Sequence, residues 1–379
     1  MSQTVIVGGG IIGLSTAFEL ARREHKVVVL ESGEFGQQAS WAGAGMLPPA
    51  NAKTAVHPLE HLTALSNELH QQWSIELKHR TGIDNGYRKC GSLHLARTPG
   101  EIASLMGLMD EWTTQEIAFE QLKDRLPNRF PFLHEDWDEA KTIQVFTPEA
   151  AQFDNRKQID SLLVACRQLN VALHDNVSLE DWSIAESKLT SVAVKPESVG
   201  LIEADQFLLA AGPWTEHLAS QLGVVLPMQP VRGQLVGYRV DPQTQPGLVN
   251  APIINEGSRY LVTREDGQVI GGSTIEEIGF DDSTSESEIT ELKQWVSSIV
   301  PAIERAEFHG GWAGLRPATY DGFPYLGKLP GLDNVLVATG HFKSGLQWST
   351  GTAVVLADLL TEVTPPIDLS PFAPSRVNV

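Results

Sequence analysis

The most constraining stretch of this chain is TVIVGGGIIGLSTAFELARREHKVVVLESG, which starts at Thr4. Thr4 to Val7 is a short β-branched run and reads as a buried strand. Gly8, Gly10 and Gly13 then form G-x-G-x-x-G. Leu14, Ala17, Phe18 and Ala21 recur at helical spacing between Ile12 and Arg23, and Val27 to Leu30 is a second strand closed by Glu31. A lone glycine triplet is a weak signal. Strand, triplet, helix, strand and acid in this order predict a βαβ unit that binds a dinucleotide. Gly8 permits a tight turn, Gly10 lets backbone N–H groups approach a pyrophosphate, and Gly13 lets the helix pack close. The helix N-terminus favours the phosphate charge. Glu31 is placed to accept hydrogen bonds from ribose hydroxyls.

The dinucleotide is NAD or FAD on this motif alone. The loop QASWAGAGML, Gln38 to Leu47, weighs toward FAD, because small residues directly after the acid suit backbone packed along a flat ring system. An NAD enzyme more often continues into a regular helix there.

With 379 residues the chain exceeds the usual single core, so two domains are expected. Its composition, 42% hydrophobic and 20% charged, is that of a soluble globular protein. A net charge of −19 argues against nucleic acid and anionic membranes as partners, but not against a small anion held by a local arginine. Cys90 and Cys166 form neither a CxxC pair nor a disulfide framework, and no metal site is expected. The start MSQTVIVGGG lacks a basic leader, and no apolar run reaches the roughly 18 residues that span a bilayer, so a cytoplasmic location is expected.

Further along, helices are expected at about 57–80, in two segments between Pro99 and Asn128, at 159–169, at 286–299 and from about Gly345 to Leu360. Strands are expected within 86–95, in short alternating runs from 176 to 202, and at 224–240, 251–255, 259–263, 268–272 and 335–338. A strand from Ala204 ends in Ala210, Ala211 and Gly212 before a new helix, either beside a cofactor or as a plain strand-to-helix turn. No linker is apparent, so the domains interleave: 1–85, 146–222 and 321–379 in one, 86–145 and 223–320 in the other.

GGWAGLRPATYDGFPYLG, Gly310 to Gly327, raises a different question. Arg316 stands in a small, apolar run at the end of a long strand. A guanidinium is permanently charged and its planar fork matches a carboxylate.

Together these pieces resemble the D-amino acid oxidase family of FAD flavoproteins, and within it the glycine oxidase branch linked to thiamine biosynthesis. The carrying motifs are GGGIIG, SWAGAGML at Ser40 to Leu47, PVRGQ at Pro230 to Gln234, RYLVTR at Arg259 to Arg264, WAGLRP at Trp312 to Pro317 and TGHFKSG at Thr339 to Gly345. The resemblance covers nearly the whole chain. It implies an α/β fold of two domains, a Rossmann-like FAD domain interleaved with an antiparallel-sheet substrate domain.

It also implies residue roles. Arg316 grips a substrate carboxylate with help from Tyr260. Ile11, Ile12, Ser32 and Ser40 join the glycines and Glu31 around the nucleotide, and Val177 touches the adenine. Ala42, Gly43, Ala44, Gly45 and Met46 lie along the flavin ring, with Ala211, Gly212 and Trp214 nearby. Ser344, Gly345, Leu346 and Gln347 direct N–H groups to its pyrimidine edge, next to His341 and Lys343. His341 reads as a packed or hydrogen-bonded histidine. Lys343 departs from the arginine of the branch, keeping the charge but losing the fork. Non-covalent FAD is expected, because relatives that link it use a cysteine near the C-terminal glycine-rich turn, where this chain has none.

The implied activity is oxidative deamination of glycine, sarcosine or small D-amino acids, by hydride transfer to flavin N5 with oxygen as acceptor. The products are an imine, then a 2-oxo acid and ammonia, and hydrogen peroxide. A D-amino acid dehydrogenase passing electrons to a quinone is the rival on the same motifs. Relatives of this kind form homo-oligomers, commonly tetramers.

Overall fold

The computed structural model describes residues 2–122, 129–134 and 142–377. Its first sheet is built on the N-terminal βαβ unit: β1 (Gln3–Val7), α1 (Ile11–Arg22) and β2 (Lys26–Leu30). The sheet has six strands, in the order Tyr325–Lys328, Val335–Thr339, Gln206–Leu209, β1, β2, Ala172–His174. All pairs are parallel except the first, which is antiparallel.

Strand alternation explains how both faces of this sheet are covered. Ile6, Val29, Leu208 and Leu336 point to one side, where they pack against α1 and the helices Pro58–Thr81, Asn155–Gln168 and Gly345–Leu360. Val5, Val7, Phe207, Leu209, Val335 and Val337 point to the other, against Leu189, Val192 and Val194. Those belong to a small antiparallel sheet of Ser178–Ala185, Lys188–Lys195 and Gly200–Glu203. α1 is buried from Ile11 to Ala21, as a helix enclosed on every side must be.

The second sheet has eight strands, in the order Glu307–Thr319, Met228–Arg239, Gln268–Gly272, Arg259–Thr263, Ile253–Glu256, Ser92–Ala96, Ile143–Thr147, Glu120–Gln121. Only the pairing of Ile253–Glu256 with Ser92–Ala96 is parallel. One face carries Val236, Tyr238, Ile254 and Leu261 against the helix Glu286–Ile299. That helix presents Leu292, Trp295, Val296 and Ile299, a stripe at helical spacing. The opposite face carries Leu235, Val262, Ile270, Tyr260 and Trp312, and meets Ala44 and Met46 of the loop after β2. The two sheets draw on alternating segments of the chain, which is the two-domain α/β architecture expected.

Most expected elements lie within a few residues of their sequence positions. The region after Pro99 differs. One helix, Pro99–Thr114, is followed by the short strand Glu120–Gln121. The helix stops because Glu116 turns into the left-handed region, φ 51°, and the Ile117 N–H closes on the Trp112 carbonyl at 2.9 Å. This is the hydrogen bond of a Schellman stop. Residues 123–128, the end of the second expected helical segment, lie outside the described residues. The strand expected within 86–95 is broken at Gly91, φ 74°, into Arg88–Lys89 and Ser92–Ala96.

The turn after β1 is tight. Gly8 has φ 116°, and a Cβ there would overlap the Ala210 carbonyl. A Cβ on Gly13 would overlap the Gly8 carbonyl oxygen. Gly13→Ala is therefore expected to lower the unfolding free energy by about 1–3 kcal/mol, the usual cost of overpacking. Urea unfolding of the variant against the parent checks this; equal midpoints would show that the helix can shift without cost.

Candidate active site at the junction of the two sheets

A cavity of about 560 Å³ runs between the first βα turn and the second sheet. One end is lined by Gly8, Gly10, Ile11, Ile12, Glu31, Ser32, Ser40 and Val177. The middle is lined by Ala42, Gly43, Ala44, Gly45, Met46, Ala211, Gly212 and Trp214. The far end holds Tyr260, Ser273, Arg316, His341, Lys343, Gly345 and Leu346. Of the residues singled out in the sequence, Gly13, Ser344 and Gln347 lie off this cavity. Gly13 serves helix packing. Ser344 and Gln347 line a neighbouring space instead. The Gln347 side-chain amide donates to the Pro48 carbonyl at 3.1 Å, and the Gln347 backbone carbonyl accepts from His70 Nε2 at 2.8 Å.

The nucleotide end has the donors that a pyrophosphate needs. The Ile11 N–H is taken by Ser40 Oγ at 2.9 Å, but the Ile12 N–H has no acceptor among the described residues. First-turn N–H groups are orphans unless a cap or ligand meets them, and here they face open space beside Gly10. Glu31 is held in place by the N–H groups of Gly9 at 2.7 Å and Gly33 at 3.0 Å, one on each oxygen. Oε1 also accepts from Ser32 Oγ at 3.2 Å, and Oε2 keeps a lone pair for a hydroxyl. At the other end, Gly345 and Leu346 in the first turn of the C-terminal helix line the cavity. These two helix N-termini and the glycine-lined wall between them fit FAD.

The loop from Gln38 to Leu47 is pinned from behind. Asn155 Nδ2 donates to the carbonyls of Ser40 and Trp41, Trp312 Nε1 to Ala42 at 2.9 Å, and a buried Arg264 guanidinium to Ala44 at 2.7 Å. Burial pulls Arg264 down to about 10. Arg156 lies 3.6 Å from the centre of the Trp41 ring, a cation–π contact. Sequence reasoning missed these anchors, because their partners are backbone carbonyls brought near only by the fold.

At the far end, sheet register places the charge. Arg316 pairs across from Val231, and Arg232 from Leu315. Alternation puts Arg316 on the same face as Gly314 and Trp312, toward the loop. Gly233 leaves the space that the guanidinium fills, since a Cβ there would overlap it. Arg316 donates to the Thr274 carbonyl at 3.1 Å, the Arg232 carbonyl at 3.3 Å and Ser273 Oγ at 2.8 Å. None of these is a carboxylate, and no ion pair of Arg316 occurs among the described residues. Its neighbour Arg232 is different: it meets Glu276 at 2.6 Å and Asp281 at 3.0 Å. Burial lowers the Arg316 pKa, countered by Tyr260 and Glu276. Burial raises the pKa of Tyr260, offset by the Arg316 charge and a hydrogen bond with Ser273. Ser273 is thus shared by both groups, and no motif marked it.

His341 is buried, with Nε2 3.2 Å from Thr352 Oγ1, and burial pulls its pKa down to about 3. It is neutral at working pH. Lys343 is exposed at the cavity mouth; partial burial and the Arg316 charge lower its pKa.

A βαβ nucleotide cradle facing an antiparallel sheet that carries an uncompensated arginine defines a dinucleotide-dependent oxidoreductase. The comparisons with known proteins give the particular family. Residues 3–359 match the family described as FAD dependent oxidoreductase, and the chain belongs to it. It is 30% identical over 374 residues to a glycine oxidase of Pseudomonas putida, covering 98% of each chain. It is 30% identical to the bifunctional protein ThiO/ThiG of a Synechocystis strain, over 99% of this chain and 54% of that one. The crystal structure of glycine oxidase from Geobacillus kaustophilus superposes with a TM-score of 0.89 at 29% identity, covering all of both chains. FAD is the cofactor, and no helix among the described residues is long and apolar enough to cross a membrane.

Buried neutral histidines give a pH signature. Burial pulls His70 and His94 to about 4 and His341 to about 3, from an ordinary 6.5. The unfolded chain takes up these protons below about pH 6.5 while the folded chain does not, so this stability is complete above 6.5 and lost as pH falls toward 4, by up to about 1.4 kcal/mol per pH unit for each histidine. Urea unfolding at about pH 7 and about pH 5 is expected to show the loss, and His341→Gln to reduce its slope. Equal stability at the two pH values would contradict the burial of these rings as neutral groups.

Proposed function

We propose that this chain oxidises the amine of a small α-amino acid, with glycine, sarcosine and small D-amino acids as the range. The observation that carries the reading is the half-buried Arg316 guanidinium, which faces the cavity and meets only neutral oxygens. A carboxylate is the ligand that completes it. The Tyr260 hydroxyl, beside Ser273, supplies a second donor to the same carboxylate. The full-length similarity to proteins named glycine oxidase supports the same range.

With the carboxylate held, the α-carbon is fixed toward the wall formed by Ala42 to Met46. FAD held along that wall would supply a two-electron acceptor for the α-hydrogen as hydride, with oxygen as the final acceptor and hydrogen peroxide as its product. The substrate must enter with its amine deprotonated, so that the nitrogen lone pair can form the imine as the α-C–H bond breaks. His341, neutral and held against Thr352, adds no charge that would repel the amine or compete for the carboxylate. Position and charge placement do the work, and no side chain is needed as a dedicated base. The imine then hydrolyses to the 2-oxo acid and ammonia, or methylamine where the substrate is sarcosine. Resemblance to the thiamine-linked branch supports delivery of the glycine imine to thiazole assembly.

The test is anaerobic mixing of the yellow protein with glycine, sarcosine and D-alanine, followed by air. Bleaching of the flavin band by at least one amine, with recovery and peroxide on aeration, is expected. Bleaching that air does not reverse would replace oxygen by another acceptor, and no bleaching would remove the reading. Arg316→Met is expected to lower kcat/KM by roughly 10²–10⁴-fold, since two charge-assisted hydrogen bonds of about 1.5–3 kcal/mol each are lost. Arg316→Lys should recover only part, because the charge returns without the fork. A variant that kept full kcat/KM would place the carboxylate elsewhere.

A further inference from the structure

We propose that the amine this chain prefers carries a second carboxylate, and that Lys343 receives it while Arg316 holds the first. This rests on the reading of Arg316 given above and names the substrate class within it.

Three observations converge. The first is the charge of the cavity. Its acidic lining residues are Glu31 and Glu34, both at the nucleotide end, and Glu31 is already occupied by backbone N–H groups. The substrate end holds Arg316 and Lys343 with no acid between them. In a chain with 47 acidic and 28 basic residues, two cations without an acid run against the composition.

The second is pairing. Arg232, next to Arg316 across the sheet, is neutralised by two carboxylates. Lys343 has no carboxylate within ion-pair distance among the described residues, and its ammonium lies 5.3 Å from the Phe342 ring centre. One monocarboxylate satisfies the Arg316 fork and leaves this second charge unmet.

The third is position. Ala318 and His341 form an antiparallel bridge. Two residues on from each, in the directions that run together, stand Arg316 and Lys343. The chain leaves that register at once, with His341 helical and Phe342 at φ 48°, but both residues line the cavity, Arg316 half-buried and Lys343 exposed. The Arg316 charge reaches Lys343, lowering its pKa. A substrate entering carboxylate-first fills the inner cation and leaves its outer end at the lysine. Glycine has one carboxylate and answers only one of the two cations; an N-carboxymethyl amino acid or an amino dicarboxylate carries two.

The experiment uses the FAD-loaded enzyme with glycine, iminodiacetate and D-aspartate, measured aerobically as kcat/KM and anaerobically as the rate of flavin reduction. The parent is expected to favour iminodiacetate or D-aspartate over glycine. Lys343→Met is expected to lower that dicarboxylate-to-glycine ratio by about tenfold or more, the scale of one close charge pair at a protein surface. Lys343→Arg should retain the ratio, which separates loss of charge from a local packing defect. The proposal is overturned if the parent shows no dicarboxylate preference, or if Lys343→Met slows reduction by all three amines alike, which would put the lysine on the first carboxylate. It is also overturned if only reoxidation by oxygen changes. Failure of the underlying reading looks different: none of the three amines reduces the flavin.

Discussion

No Cβ fits between Gly13 and the Gly8 carbonyl oxygen, or between Gly8 and the carbonyl of Ala210. This backbone-on-backbone contact ties β1, α1 and the strand Gln206–Leu209 into one corner. From it follow the direction of the α1 N-terminus, the placing of Glu31 at the end of β2, and the arrival of Ala211 and Gly212 at the cavity wall. The corner is rigid because α1 is enclosed by the sheet on one side and the helices on the other. A site that recognises a pyrophosphate through orphan N–H groups needs that rigidity, since a donor that moves loses its hydrogen bond.

The second sheet solves a different problem, which is to bring a charge to the far end of the same cavity. Its helix-covered face is an ordinary apolar core, so its other face is free to carry Tyr260, Trp312 and Arg316. The long pairing of Glu307–Thr319 with Met228–Arg239 fixes which residues those are, because a slip of one position would turn Arg316 into the helix-covered side. Gly233 and Gly314 then set the clearances: one makes room for the guanidinium, and the other lets the sheet touch Ala42.

These two halves were not equally legible in the sequence. The nucleotide half is local. Turn glycines, helix spacing and the acid all fall between Gly8 and Glu31, so period and punctuation reveal it directly. Arg316 and Tyr260 were legible only through the resemblance, since a strand arginine has no local signature. Ser273, Asn155 and Arg264 were not legible at all. Each acts on a partner more than 40 residues away in the chain, mostly a backbone carbonyl, and no side-chain pattern records that relation. The misjudged region after Pro99 has the same cause in miniature. Helix-forming residues continue, but a left-handed Glu116 and the Ile117 closure end the helix, and tertiary packing of Trp112 and Ile117 in one cluster favours that stop.

The placing of charge at the substrate end also bears on stability. Arg264 and Arg316 are both withdrawn from water without a carboxylate, and burial depresses the pKa of each. Removing a charge from solvent costs several kcal/mol unless hydrogen bonds or a counter-ion compensate. Arg264 is compensated by carbonyl oxygens and holds the loop that forms the cavity wall, so its cost supports the architecture. Arg316 has comparable oxygens but also an open side, and Lys343 adds like charge to that opening. The sheet register and the glycine that makes room for the guanidinium hold this charge in place. An anion relieves both the desolvation of Arg316 and its repulsion with Lys343. Two cations at one opening make it electrostatically complementary to negative charge, whatever its shape.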